Sequence, residues 1–211
     1  MKTVIFDFDG TLADSLDVIV EIFEQLTGKR SQLSREEMAG LRHLPIPAVG
    51  KRLGLPMWKV PYLLWRGKRM MAKYIEQVPP YSGVEDVLKD LQHAGYQIII
   101  VSSNSRANVR IFLKHYGLSA YFHRVYGNVG LFSKAAALRK ILARNHLHMN
   151  DCVYIGDETR DVEACQSIGL RIVAAKWGFA DPVFLESHNP TALAGSPKEL
   201  IPIISKLFAE A

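Results

Sequence analysis

KTVIFDFDGTLADS (residues 2–15) places two aspartates directly after a short apolar run. The β-branched and aromatic residues of KTVIF predict a buried strand that ends at Asp7. Gly10 allows the chain to turn there, so the side chains of Asp7 and Asp9 can face one region. We therefore expect this strand to deliver two carboxylates to the edge of a sheet.

Strand-like and helical segments alternate along the second part of the chain. The near-continuous apolar runs are YQIIIV (96–101), CVYI (152–155) and RIVAA (171–175), and helical patterns cover 106–116, 134–145 and 158–168. A further helix is expected to start at a capping box formed by Ser82 and Glu85. Continuous apolar strands alternating with helices are typical of a parallel sheet covered on both faces, so the sequence predicts an α/β fold.

Residues 15–80 lack the strand signal and predict an all-helical insertion. Apolar residues recur at helical spacing in SLDVIVEIFEQL (15–26), and further helical patterns cover 36–44, 47–53 and 58–76. We expect two domains, a core formed by residues 1–14 and 81–211 and a helical cap formed by residues 15–80.

The positive charge is concentrated in this insertion. The chain has 26 Lys and Arg against 21 Asp and Glu, and residues 51–73 hold seven of the cations and no acid. Trp58, Tyr62 and Trp65 are interleaved with them, which suits a non-catalytic protein that binds nucleic acid or an acidic partner. We favour another interpretation, in which the aromatics and neighbouring leucines form the core of the cap and its contact with the main domain. The cations then steer an anionic substrate.

Composition excludes several classes of protein. With 48% hydrophobic and 22% charged residues, the chain is not disordered. No apolar run reaches membrane-spanning length and no signal-peptide pattern is present, so we expect a cytoplasmic protein without a membrane partner. Cys152 and Cys165 form no metal-like or disulfide pattern, and we expect two reduced, buried thiols.

Polar residues follow the predicted strand ends. They are Asp7 and Asp9, then Ser102, Ser103 and Asn104, then Asp157, with Asp161 one helical turn later. Carboxyl ends of parallel strands share one edge of a sheet, where ligands bind. Crowded carboxylates repel one another unless a cation lies among them, and Mg²⁺ prefers oxygen ligands and substrate phosphate. Lys134, at a predicted helix start, suits the same phosphate, so the pattern predicts a Mg²⁺ site for a phosphorylated ligand.

Four segments resemble the motifs of the haloacid dehalogenase superfamily. DFDGTLADS (7–15) is similar to the first motif and IIIVSSN (98–104) to the second; Lys134 fits the third, although Ala135 follows it where proline is frequent, and VYIGDETRD (153–161) is similar to the fourth. The insertion and KWGFADP (176–182) resemble the phosphoglycolate phosphatase-like branch. The resemblance implies a Rossmann-like three-layer parallel-sheet core with a helical cap inserted after the first strand.

The resemblance also implies a reaction, the hydrolysis of a small phosphorylated metabolite through an aspartyl-phosphate. Asp7 would be the nucleophile, and Asp9 would protonate the leaving alcohol and then activate water. Mg²⁺ would be held by Asp7, by the backbone carbonyl of Asp9 and by Asp157. Asp161 would orient Lys134. The expected phosphate-binding residues are Gly10, Ser102, Ser103, Asn104 and Lys134, of which Ser102 and Lys134 would also stabilise the transferring phosphoryl group.

Related reactions remain as alternatives. A sugar-phosphate mutase shares all four motifs and would need a bisphosphate activator, and a phosphonate hydrolase would need a cap lysine such as Lys51 or Lys59. Asp9 argues against dehalogenation, which needs no acid for the leaving group. Candidate specificity residues in the cap are Arg42, His43, Lys51 and Arg52. We expect a monomer or small homo-oligomer that does not bind nucleic acid.

Overall fold

A computed structural model describes residues 1–28, 56–130 and 134–210 and contains a six-stranded parallel sheet. The order is β3-β2-β1-β4-β5-β6, and every neighbouring pair is parallel. The strands are β1 (Thr3–Phe6), β2 (Gln97–Val101), β3 (Arg124–Tyr126), β4 (Cys152–Gly156), β5 (Arg171–Ala175) and β6 (Ala192–Ala194). The predicted parallel α/β fold is confirmed. The edge strands β3 and β6 were not predicted, because three residues are too few to show a strand pattern.

Helices cover both faces of the sheet. The described residues form α1 (Leu16–Thr27), α2 (Val60–Tyr74), α3 (Val84–His93), α4 (Arg106–His115), α5 (Lys134–Arg144), α6 (Thr159–Gln166), α7 (Pro182–Ser187) and α8 (Leu200–Ala209), and helices α3 to α8 are the ones that flank the sheet. Val4 and Phe6 of β1 pack in one apolar cluster with α3, α4 and α8. Ile5 points to the other face, into a cluster with α5, α6 and α7. This alternation along a strand buried on both sides produces the three-layer core.

The central position of β1 places its end beside the end of β4. Phe6 pairs with Ile155, and the backbone N–H of Asp7 continues the ladder to the carbonyl of Ile155 at 2.8 Å. The residues that follow the two strands, Asp7 and Asp157, therefore lie at the same edge of the sheet.

Helices α1 and α2 pack against each other outside the sheet. Gln25 donates a hydrogen bond to the hydroxyl of Tyr74 at 2.8 Å. The two chain crossings between core and helices run side by side, since the N–H of Asp14 donates to the carbonyl of Pro79 at 2.9 Å. The helices predicted at 36–44 and 47–53 lie outside the described residues, and the division into a core and a cap stays a prediction.

The predicted capping box at the start of α3 is wrong. The helix begins at Val84 with Gly83 as its N-cap, and Ser82 does not cap it. Gly83 has φ of 85°, a left-handed conformation that glycine adopts without steric cost. Glu85 still lies in the first turn, where its charge favours the helix dipole.

The aromatic residues of α2 and the turn before it do not form a buried cap core, contrary to expectation. Trp58 is 77% exposed, Tyr62 51% and Trp65 54%. Buried Val60 and Met71 lie on a different face of α2. The exposed rings contact cations instead. Lys59 lies over Trp58 and Arg69 over Trp65, each about 5.0 Å from the ring centroid. Leu53 and Leu55, expected to pack with them, lie outside the described residues.

Both cysteines are free and buried, as expected. Burial raises the pKa of Cys152 to about 11, so its thiol stays protonated and unreactive at neutral pH. Among the described residues, no helix combines the length and apolarity needed to cross a membrane.

Candidate active site

Three buried carboxylates meet at the carboxyl edge of the sheet. Asp7 follows β1, Asp157 follows β4, and Asp161 lies in the first turn of α6. One carboxylate oxygen from each lies within 4.8 Å of the other two. Asp161 also closes a capping box at the start of α6, because its Oδ2 accepts the N–H of Glu158 at 3.2 Å. The third carboxylate of the cluster is thus Asp161, whereas the sequence analysis assigned Asp9 to the cation only through its backbone carbonyl.

Lys134 pairs with two of these three carboxylates. It is the first residue of α5, and its Nζ lies 2.6 Å from Oδ2 of Asp7 and also pairs with Oδ1 of Asp161. The ammonium lies 5.3 Å from the centroid of the Tyr154 ring. Burial alone lowers the pKa of Lys134, but Asp161 and Asp7 outweigh it and hold that pKa well above its usual value. The ammonium therefore stays charged.

Two of these carboxylates, Asp7 and Asp157, have raised pKa values. Burial raises the pKa of Asp7 to about 7, against the opposing effect of Lys134. Burial, with repulsion from Glu158, Asp161 and Asp7, also raises the pKa of Asp157 well above its usual value. Three carboxylates beside one ammonium carry two excess negative charges when all are ionised. A hard divalent cation fits this oxygen-only, electron-rich set.

Asp157 is held by contacts that the sequence did not reveal. Its Oδ1 accepts the hydroxyl of Thr11 at 2.7 Å, and its Oδ2 accepts the N–H of Phe179 at 2.8 Å. Each oxygen keeps a second lone pair for a cation. A Cβ at Gly10 would lie 2.1 Å from Oδ2 of Asp157, and one at Gly178 would lie 2.2 Å from its Cβ. Glycine at these two positions lets two loops close around the carboxylate.

Asp9 lies apart from the carboxylate cluster and is oriented by two other side chains. Its Oδ1 accepts the hydroxyl of Ser15 at 2.8 Å, and its Oδ2 accepts Nδ2 of Asn104 at 3.0 Å. Burial raises the pKa of Asp9, and the bonds from Ser15 and Asn104 oppose that rise. Between the two acids, Phe8 is buried edge-to-face against Phe112, with centroids 5.0 Å apart. Anchoring Phe8 in the core leaves both flanking carboxylates at the site.

The end of β2 supplies the remaining predicted residues. Ser102 is fully buried, and its hydroxyl oxygen accepts the N–H of Asn104 at 2.9 Å. Ser103 is half-buried beside it. The amide of Asn104 contacts Asp9, so this side chain orients a carboxylate in the structure, and its contact with phosphate stays a prediction.

None of the candidate specificity residues in the predicted cap lies within the described residues. Arg42, His43, Lys51 and Arg52 lie outside the described residues. Lys59, a candidate lysine for the phosphonate alternative, is exposed and lies over the ring of Trp58 rather than in a buried pocket.

Comparison with known sequences gives matches along most or all of the chain. The sequence model of the haloacid dehalogenase-like hydrolase family matches residues 4–175. Phosphoglycolate phosphatase from Synechococcus elongatus is 34% identical over 212 residues, covering 100% of both chains. Pyrophosphatase PpaX from Bacillus mycoides is 24% identical over 218 residues, covering 98% of each chain.

Solved structures share the fold. A haloacid dehalogenase-like family hydrolase from Streptococcus pneumoniae superposes with a TM-score of 0.82 over 97% of this chain and 98% of its own, at 22% identity. The agreement extends over nearly the whole length of both chains.

Proposed function

The chain belongs to the haloacid dehalogenase-like hydrolase family and is a phosphoric monoester hydrolase, and we propose that it cleaves a small phosphate monoester through an aspartyl-phosphate on Asp7. The observation that carries this proposal is the buried cluster of Asp7, Asp157 and Asp161 with Lys134 bridging two of them. A carboxylate placed between a lysine and a cation site is suited to attack phosphorus.

Asp7 is the proposed nucleophile because its carboxylate is fixed at both oxygens. Oδ1 accepts the N–H of Phe8 at 2.8 Å, and Oδ2 lies 2.6 Å from Nζ of Lys134. In the first step a carboxylate oxygen of Asp7 bonds to phosphorus, and the bond from phosphorus to the ester oxygen breaks. Asp9 gives its proton to that leaving oxygen.

The second step returns the enzyme to its starting state. Ionised Asp9 takes a proton from water as the water oxygen bonds to phosphorus, and the bond between phosphorus and Asp7 breaks. Inorganic phosphate leaves, and Asp9 is again protonated. The hydrogen bonds from Ser15 and Asn104 hold the same carboxyl group in place for both proton transfers.

Mg²⁺ is the proposed cofactor, held by Asp7, Asp157 and the backbone carbonyl of Asp9, with Asp161 adjacent to this set. When bound, such a cation neutralises charge on the phosphoryl oxygens. The residues of the chain do the rest of the binding. Lys134 and the hydroxyl of Ser102 hold phosphoryl oxygens, and Gly10, Ser103 and Asn104 complete the proposed phosphate site.

The proposed substrate is a small phosphorylated metabolite resembling phosphoglycolate. Full-length identity of 34% to a phosphoglycolate phosphatase supports it. The cation-rich stretch 51–73 would attract such an anion to the proposed cap of residues 15–80, above a core of 1–14 and 81–211. A cytoplasmic location and a monomeric or small homo-oligomeric state are part of the same proposal.

The test is phosphate release from a panel of esters. Phosphoglycolate, sugar phosphates, p-nitrophenyl phosphate and pyrophosphate would be assayed with Mg²⁺ and with a chelator. We expect turnover that needs Mg²⁺ and is lost in Asp7→Asn but retained in Asp90→Asn, since Asp90 is exposed on α3. Mass spectrometry of a rapidly quenched reaction should find phosphate on the peptide that contains Asp7.

Two outcomes would redirect the proposal. Turnover of sugar phosphates only after addition of a bisphosphate would favour the mutase. Cleavage of a phosphonate aldehyde, with trapping of a lysine imine by borohydride, would favour the phosphonate hydrolase. Turnover by Asp7→Asn at the wild-type rate would contradict an aspartyl-phosphate at this residue.

A further inference from the structure

A chain of side-chain amides runs from α2 to the carboxylate of Asp9. Nδ2 of Asn108, near the start of α4, lies 3.1 Å from the backbone carbonyl oxygen of Lys68 in α2 and 3.0 Å from Oδ1 of Asn104. Nδ2 of Asn104 in turn lies 3.0 Å from Oδ2 of Asp9. Asn108 is only 2% exposed. Its hydrogen bonds do not involve the carboxylate cluster.

A backbone N–H and a backbone carbonyl determine which group donates and which accepts in every hydrogen bond of this series of amides. The N–H of Ser105 can only donate, and it lies 2.8 Å from Oδ1 of Asn104, so that atom is the acceptor. The other end of the amide, Nδ2, therefore faces Asp9. Asn108 must then donate to Asn104, and its second N–H meets a carbonyl of α2, which can only accept. Neither amide can be flipped without losing these bonds.

We propose that Asn108 is a positioning residue for Asp9, acting through Asn104 and anchored to the Lys68 carbonyl of α2. The proposal rests on the proposed function, in which Asp9 protonates the leaving oxygen. Asn108 fixes the plane of the Asn104 amide, and that plane fixes the carboxyl group of Asp9. The placement of the acid then depends on contact between α2 and α4, two helices from different predicted domains.

Among the described residues, both groups that accept a hydrogen bond from the Asn108 amide keep another partner when that amide is removed. Oδ1 of Asn104 keeps the N–H of Ser105. The carbonyl of Lys68 lies inside α2 and keeps its bond along the helix. Asn108→Leu, similar in size, should therefore fold, and Asn108→Ala provides a second variant if leucine does not fit.

The experiment compares two leaving groups. Phosphoglycolate releases an alkoxide that needs protonation, whereas p-nitrophenyl phosphate releases a phenolate that is stable without it. kcat/KM reports the first chemical step for both. A well-placed acid contributes about 10²- to 10⁴-fold, so Asn108→Leu should lose at least about tenfold more on phosphoglycolate than on p-nitrophenyl phosphate. The control is Gln166→Ala, an exposed residue at the opposite end of α6 from Asp161, whose amide donates to the carbonyls of His188 and Asn189.

The Asp9→Asn variant distinguishes the acid role of Asp9 from the positioning role of Asn108. A selective loss on phosphoglycolate in both Asp9→Asn and Asn108→Leu supports the positioning role. The role of Asn108 alone is overturned if Asp9→Asn loses kcat/KM selectively on phosphoglycolate but Asn108→Leu does not. Asn108→Leu would then lose kcat/KM equally on both substrates, or on neither. No selective loss in Asp9→Asn overturns the acid role of Asp9 and the positioning of that acid with it. The same ratios measured with Asn108→Ala decide the matter if the leucine variant misfolds.

Discussion

Replacing Gly178 by alanine should displace Asp157 from the cation site. The added Cβ would lie 2.2 Å from Cβ of Asp157 and 2.4 Å from the carbonyl oxygen of Gly10, whereas ordinary contact starts at 3.4 Å. Neither atom can swing away, because one is backbone and the other is the first atom of its side chain. The loop and Asp157 must separate by about 1 Å in a close-packed region.

Separation on this scale breaks a bond and overfills the loop. The N–H of Phe179 would leave Oδ2 of Asp157, now 2.8 Å away. A hydrogen bond to a charged group contributes about 1.5–3 kcal/mol and overpacking costs about 1–3 kcal/mol. The free energy of unfolding should fall by about 2.5–6 kcal/mol, which lowers Tm by roughly 5–24 °C for a chain of this size. A misplacement of about 1 Å should also slow phosphate release by about 100-fold.

The assay measures Tm by calorimetry and kcat/KM by phosphate release, with and without Mg²⁺. Gly195→Ala is the matched control. Its Cβ would lie 3.0 Å from Oε1 of Glu199, the far end of an exposed and flexible side chain, so it should change both quantities little. If Gly178→Ala matches the wild type in Tm and rate, the loop does not hold Asp157 rigidly and the reasoning is refuted.

Three further perturbations follow from the same geometry. Lys134→Met leaves two buried carboxylates without their cation and should lower the free energy of unfolding by about 3–5 kcal/mol in denaturant titrations, whereas Lys140→Met, exposed on the same helix, should match the wild type. Because a proton on Asp7 excludes a cation and its pKa is about 7, Mg²⁺ affinity measured by calorimetry should rise with pH up to about 7 and then level off; a flat profile contradicts this. Gly67→Ala adds a Cβ in ordinary contact, 3.7 Å from Leu26, and should stabilise α2 by about 0.5–1 kcal/mol in thermal unfolding, where a lower Tm would count against it.

Sequence patterns predicted the central strands and the helices that cover them well. Strands β1, β2, β4 and β5 are buried on both faces, so each is a continuous apolar run that stands out in the chain. The sequence was less informative about which side chains of α2 are exposed. Trp65 and Tyr62 are as apolar as core residues, yet they lie in contact with each other, 6.1 Å apart between centroids, on a solvent face.

Strand ends also indicated the site, since parallel strands present their carboxyl ends at one edge of a sheet. That rule brought Asp7, Asp157 and Asp161 together without knowledge of the strand order. It gave no distances, however, and so did not distinguish Asp161, which joins the carboxylate cluster, from Asp9, which turns toward Ser15 and Asn104.

By itself, then, the sequence determined the elements and the chemistry at their ends, because apolar periodicity and polar strand ends depend on residues a few positions apart. The tertiary structure alone decided which groups touch. Thr11 reaches Asp157 across 146 positions, and Asn108 reaches Lys68 across 40. Such contacts depend on how separate elements pack. A shift of less than 1 Å forms or breaks a hydrogen bond, and distances of this size cannot be read from the sequence.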